Sequence, residues 1–145
     1  MVCRDVDNPE RVDVFLYNPG LSYFSDVGTL VGHNILGFDL PAIRDLWGLD
    51  FLDLYNNRAI SIYDTLVVSR LMYQALDGGH SLKEWGKRLK CEKSDFSSWE
   101  QLSQDMIDYC AQDTLVNLAL FNFLEKKIGN CKEAIYTENY MSYLC

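Results

Sequence analysis

The order of hydrophobic patterns along this chain predicts an α/β fold, with short strands collected in the first half and helices dominating the second. Three observations carry that expectation. β-prone runs occupy residues 2–5, 12–17, 29–31 and 59–63. Apolar residues recur at helical spacing over residues 65–75 and 104–128. At 145 residues the chain has the size of one domain around one hydrophobic core.

The first two runs flank Asp7-Asn8-Pro9-Glu10, whose Asn-Pro chemistry marks a hairpin turn. The third leads into His33 and Asn34. A helix is expected near Leu40-Pro41, because the fixed φ and missing N–H of proline suit a first helical turn. Residues 59–63 read as a strand ending at Asp64, followed by a helix from Thr65 to about Ala75 that Gly78-Gly79 stops. Ser81-Leu82-Lys83-Glu84 has the pattern of a capping box, in which the serine accepts from the third helical amide and the glutamate reaches back. It predicts a short helix to about Leu89. Met106, Tyr109, Cys110, Leu120, Phe123, Leu124 and Ile128 define the longest helix, from about Gln104 to Ile128, ended by Gly129-Asn130. No repeat or low-complexity tract interrupts the pattern.

Composition narrows the function classes. With 48% hydrophobic and 23% charged residues the chain resembles ordinary soluble proteins, and no stretch approaches the roughly 18 unbroken apolar residues of a membrane helix. The best candidate, residues 115–124, is broken by Asn117 and Asn122. Arg4 and Asp5 arrive before an apolar run can form, so no signal peptide is readable and a cytoplasmic location is expected, with no membrane partner. The five cysteines, Cys3, Cys91, Cys110, Cys131 and Cys145, are odd in number and never spaced C-x-x-C. They read as reduced thiols, not as a disulfide framework or a zinc knuckle. A formal net charge of -8 is unusual for a protein that grips phosphates. A solvated acidic surface accounts for it; so does a nuclease working through divalent metals, because hard cations take carboxylate oxygens.

Carboxylates at the ends of predicted elements mark three places. In His33-Asn34-Ile35-Leu36-Gly37-Phe38-Asp39 an amide side chain follows a strand, and Asp39 lies at the mouth of a helix; taken alone, the pattern also describes turn or cap residues. In Tyr109-Cys110-Ala111-Gln112-Asp113 the i,i+4 spacing sets the phenol and the carboxylate on one helix face, where they can serve a metal and a water, or be a half-buried tyrosine beside a surface aspartate. Asp64, at a strand-to-helix junction, is read as an N-cap.

In order along the chain these segments resemble the 3'-5' proofreading exonuclease domain of the family A DNA polymerases of short-tailed phages. The resemblance covers His33-Asn34 through Asp39-Leu40-Pro41-Ala42, then Tyr63-Asp64-Thr65-Leu66-Val67-Val68-Ser69-Arg70-Leu71, then Gly79-His80-Ser81-Leu82-Lys83-Glu84-Trp85-Gly86, and last Asp105-Met106-Ile107-Asp108-Tyr109-Cys110-Ala111-Gln112-Asp113. It implies a ribonuclease-H-like mixed sheet flanked by helices, forming one exonuclease-like domain over residues 1–145. It implies hydrolysis of the 3'-terminal phosphodiester of single-stranded DNA through two Mg²⁺ or Mn²⁺ ions. By the same resemblance Asp39 and Asp113 are catalytic metal ligands and Tyr109 orients the attacking water. Asn34 supports the site or faces substrate. His33 is a packed or hydrogen-bonded neighbour at the substrate side, and His80 a surface or cap residue. Lys83, Lys87, Arg88, Lys90 and Lys93 form a basic cluster that fits phosphates or is ordinary solvated helix surface; Lys83 and Lys87 are the candidate substrate contacts.

One departure matters. Such domains begin with a strand carrying Asp-x-Glu, and no such strand precedes Asn34. Asp5-Val6-Asp7 lies at the hairpin turn and is assigned a turn role. The first, central strand is therefore expected to be missing, leaving the neighbouring strands unpaired and the fold prone to instability. At the other end, Ala134, Ile135, Met141 and Leu144 form an apolar pattern without a cap, so the parent is expected to be longer or split and to carry the polymerase region as a partner, inside the phage-infected bacterial host. Two functions remain: an exonuclease whose first motif comes from elsewhere, or a catalytically incomplete structural or DNA-contacting remnant. An RNA-trimming exonuclease fits less well, because the blocks from Asp64 to Trp85 resemble polymerases.

Overall fold

Two separate pairs of short strands, both lying against one long helix, frame this chain. The computed structural model describes residues 1–51, 60–91, 101–133 and 137. Strands β1 (Val2–Arg4) and β2 (Val12–Val14) pair antiparallel, with Val2 opposite Val14 and Arg4 opposite Val12. Reciprocal 2.8 Å main-chain bonds between Met1 and Phe15 prolong the ladder by one step. β2 stops short of the expected residue 17, because Leu16 and Tyr17 point to solvent, 54% and 83% exposed. The turn behaves as its residues demand: Asp5 Oδ1 accepts from the amides of Asp7 and Asn8 at 2.9 and 3.1 Å, and Oδ2 faces Arg11.

A 3₁₀ turn (Leu21–Phe24) leads to β3 (Thr29–Gly32), followed by a π turn (Ile35–Asp39) and α1 (Leu40–Trp47), with Pro41 in its first turn. Strand β4 (Ser61–Asp64) pairs parallel to β3, setting Leu30 opposite Ile62 and Val31 opposite Tyr63. Ala59, expected to open that strand, lies outside the described residues. The period of two splits the β3–β4 pair between two cores. Ile62 and Leu30 join Phe24, Ile35, Leu40 and Phe51 on one face. Tyr63 and Val31 join Val68, Trp85, Leu120, Leu124 and Ile128 on the other. A parallel pair covered on both sides explains why Ile62 and Tyr63 are consecutive and both buried. Each such side chain contributes about 1.5–3 kcal/mol by leaving water.

Three helices close the second core: α2 (Thr65–Met72), α3 (Leu82–Arg88) and α4 (Gln104–Ile128). Helix α4 keeps the bounds its periodicity predicts, capped by Ser103 Oγ accepting from the Met106 amide at 3.2 Å. Helix α2 ends three residues before the expected Ala75. Tyr73 leaves the helical region, at φ −132° and ψ 88°, and its ring packs 5.8 Å from that of Trp85. Gly86 of α3 admits the segment after the helix: an added Cβ would lie 2.9 Å from Cys91 O, and 3.4 Å from Val116 Cγ1 of α4. Among the described residues no helix is long and apolar enough to cross a membrane. Among the described residues Cys3, Cys91, Cys110 and Cys131 form no disulfide with one another, and the apolar pattern of Ala134, Ile135, Met141 and Leu144 lies outside the described residues.

Helix α3 ends in a Schellman motif: the Cys91 amide donates to Gly86 O at 2.8 Å and the Lys90 amide to Lys87 O at 3.2 Å. The left-handed residue it requires is Lys90, at φ 55°, where glycine is usual. A side chain there costs about 1–2 kcal/mol, partly offset by the greater unfolded-state freedom of glycine. Lys90→Gly is therefore expected to stabilise the chain by about 0.5–1 kcal/mol in urea denaturation, with the m-value unchanged; a loss of stability would contradict this account of the helix end.

Candidate functional site

The strand-to-helix junction at Asp64 organises the candidate site. Asp64 is 1% exposed and its carboxylate collects three main-chain donors. Oδ1 accepts from the Leu66 and Asn34 amides, each at 2.9 Å, and Oδ2 from the Leu36 amide at 3.2 Å. The first bond is the N-cap expected from sequence. The other two tie α2 to the turn that delivers Asp39. Bonds to a charged acceptor contribute about 1.5–3 kcal/mol each, which is why a carboxylate is tolerated at this depth.

That turn is unusual in its backbone. Asn34 is left-handed, at φ 64° and ψ 28°, and residues 35–39 form one π turn closed by the Leu40 amide donating to Ile35 O, with the Phe38 amide donating to Asn34 O at 2.9 Å at its entry. Two glycines make room for it. A Cβ on Gly32 would come 2.5 Å from Ile35 Cβ, and one on Gly37 would come 2.7 Å from Asn34 Oδ1. Asn34, Phe38 and Asp39 are all exposed, Phe38 at 67%.

Asp39 keeps one side open to solvent, but that does not cancel the protein volume on its other side. Desolvation pushes its carboxyl up to about 6 from 3.8; a main-chain hydrogen bond opposes the shift, and the Asp64 charge adds to it. Cys3 of β1 is the neighbouring group on the strand. Burial pushes its thiol up to about 11, the Met1 ammonium opposes this, and the charges of Asp13 and Asp39 reinforce it. Next to Cys3, Arg4 clasps α4, donating from Nε to Thr114 Oγ1 and from Nη2 to Ala111 O, both at 3.1 Å, and from Nη1 to Pro9 O. Thr114 directly follows Asp113. Strand β1 is thus held against the helix turn that carries Asp113. On α4, Tyr109 and Asp113 are half-buried one turn apart, and Asp113 Oδ1 is buried.

The remaining sequence candidates fall into hydrogen-bonded packing and a solvated helix face. His33 Nδ1 lies 2.9 Å from Thr65 Oγ1, which also sits 3.1 Å from Gly32 O and 2.8 Å from Asn117 Oδ1. Burial lowers the His33 pKa, with the Asp64 charge opposing, so the ring is neutral at pH 7. His80 differs from the surface or cap role expected of it. It is half-buried, with Nδ1 2.6 Å from Ser69 Oγ, which accepts from Trp85 Nε1 at 2.9 Å. Lys83 and Lys87 are exposed on α3, where Lys87 Nζ donates to Glu84 at 2.6 Å. Arg88 stacks 5.1 Å over the Trp85 ring, and Lys93 lies outside the described residues. Among the described residues no group of three or more His, Cys, Asp or Glu side chains is arranged to hold a metal ion. Sequence reasoning missed the Arg4 clasp, the Thr65–Asn117 contact and the Ser69–His80–Trp85 chain. Only Asp64-Thr65, a cap followed by a hydroxyl, carried a local signal for any of them.

The chain is related to a region of phage DNA polymerases. Over an alignment 138 positions long it is 27% identical to the DNA-directed DNA polymerase of Escherichia phage T7, and equally to that of Enterobacteria phage T3. Each alignment covers 71% of this chain, and the chain spans 19% of the length of these curated relatives. No family model matches the sequence, and no solved structure matches it.

The raised pKa of Asp39 has a definite sign. The folded chain holds this proton more tightly than the unfolded one between pH 3.8 and about 6, so the contribution of Asp39 to stability falls as pH rises through that window. A carbon-13 carboxyl titration should place the Asp39 midpoint near 6, and Asp39→Asn should remove this part of the pH dependence of unfolding. A midpoint near 3.8 would contradict the desolvated environment.

Proposed function

We propose that this chain is the 3'-5' proofreading exonuclease region of a phage-type DNA polymerase, removing terminal nucleotides from the 3' end of single-stranded DNA. The observation that carries this reading is the clasp of Arg4 on the Ala111–Thr114 turn, which holds β1 beside the helix turn that carries Asp113. The relationship to phage DNA polymerases supports the same reading.

In this reading β1–β2 and β3–β4 are the two sides of a ribonuclease-H-like sheet, and the edges of β1 and β3 that pair with no strand among the described residues flank the position of a central strand. The donor chemistry fits a hard divalent cation. Asp39 is a carboxylate whose ionised form is disfavoured by its surroundings, a cost that a bound cation relieves, and Asp113 offers carboxylate oxygens at half-buried depth. Mg²⁺ or Mn²⁺ held by these two residues would supply the positive charge that polarises the scissile phosphate. Tyr109, one turn before Asp113 on the same face, orients the attacking water by its phenol. Asn34 and His33 lie on the substrate side of the turn, and Lys83 and Lys87 supply charge toward the DNA backbone. The surrounding context is a polymerase region, on the same or a second polypeptide, in the cytoplasm of an infected bacterium.

A second reading, a catalytically incomplete module that keeps the fold and contacts DNA, is favoured by one observation. The only Asp-x-Asp near the start is spent on its own turn, with Asp5 bonded to Asp7, Asn8 and Arg11. Release of nucleotide from 3'-labelled single-stranded DNA in Mg²⁺ or Mn²⁺ separates the two. Asp113→Ala is expected to lower the rate by more than about 100-fold, beyond what loss of an outer-shell partner costs. A rate unaffected by that change would overturn the assignment of Asp113. A folded chain with no activity would favour the incomplete module.

A further inference from the structure

We propose that Asp64 is the positioning residue for Asp39, setting the π turn that delivers this carboxylate to the cation. The proposal rests on the reading of Asp39 as a metal ligand. Asp64 is too deeply buried to meet substrate, and only one of its three accepted bonds is needed to cap α2. The other two go to Asn34 and Leu36, at the entry of the turn that ends at Asp39. They hold a residue that is left-handed without being glycine and that makes no side-chain cap bond to the turn it opens. A left-handed asparagine followed by a π turn is an uncommon entry into a helix, and the π turn in particular depends on its surroundings to hold it. The two carboxylate oxygens of Asp64 impose it from outside, while Gly32 and Gly37 leave the space it needs.

The capping and positioning roles can be separated. Serine already caps α3 and α4, accepting from the third helical amide in each. Asp64→Ser should therefore keep an acceptor for α2 but lack the second oxygen that reaches Leu36. Gly32→Ala attacks the same turn from β3, by driving a Cβ against the Cβ of Ile35, the first residue of the turn, while Asp64 stays in place. Full-length chains would be titrated with Mn²⁺ while paramagnetic broadening is followed separately at Asp39 and at Asp113, with the amide spectrum of α2 and α4 as the record of the fold.

Both variants should raise the Mn²⁺ concentration that half-broadens Asp39 by about tenfold, the scale on which partners behind a metal ligand act, while α2 and α4 keep their spectra. Half-broadening of Asp39 at the unaltered concentration in either variant that keeps its α2 and α4 spectra would overturn the proposal. No broadening of Asp39 in the unsubstituted chain would refute the metal reading itself, a different result that removes the proposal along with its premise.

Discussion

A buried carboxylate satisfied by three main-chain amides is the interaction on which the rest of this structure depends. Asp64 ends β4, begins α2 and holds the entry of the π turn before α1, so three elements meet at one side chain. Burying a charge is costly unless every strong acceptor position is used, and here the ends of two elements supply the donors that would otherwise be unpaired. The junction is thus stabilised from both sides: the carboxylate needs the amides, and the amides have no better acceptor.

The β3–β4 pair extends this constraint outward. Because consecutive residues of a strand face opposite ways, Ile62 anchors the core beneath α1 while Tyr63 anchors the core beneath α2, α3 and α4, its ring packed edge-on 4.9 Å from Phe121. The register that buries both also aligns Gly32 with Asp64, bringing the end of β3 beside the carboxylate. Strand β1 reaches the same region by another route, through the guanidinium of Arg4 on α4. A fork of donors spread over Pro9, Ala111 and Thr114 sets both distance and orientation, which a single ammonium would not.

Much of this was legible in the residues. Helix α4 follows from an apolar period sustained over seven turns and a serine cap, and α3 from Ser81 and Glu84. The hairpin turn follows from Asp5, Asn8 and Pro9. These features are local: each is stabilised by residues within a few positions of one another, so the sequence exposes both partners together. What was not legible joins distant positions. The early end of α2 depends on Tyr73 meeting Trp85, and the left-handed Lys90 on a close contact between α3 and the segment after it. The half-buried place of His80 depends on Ser69, eleven residues earlier, already accepting from Trp85.

The candidate site divides in the same way. By itself the sequence determined the order of strands and helices, the capping chemistry of Asp64, and the pairing of Tyr109 with Asp113 on one face, because periods of 2 and 3.6 residues and i,i+4 spacing are properties of the chain alone. The tertiary structure decided that Asp64 also clamps the turn leading to Asp39, and that Arg4 draws β1 onto the helix beside Asp113. Those contacts span from about 30 to more than 100 positions, and no local propensity encodes them. They form because burial brings donors and acceptors together where water can no longer satisfy either.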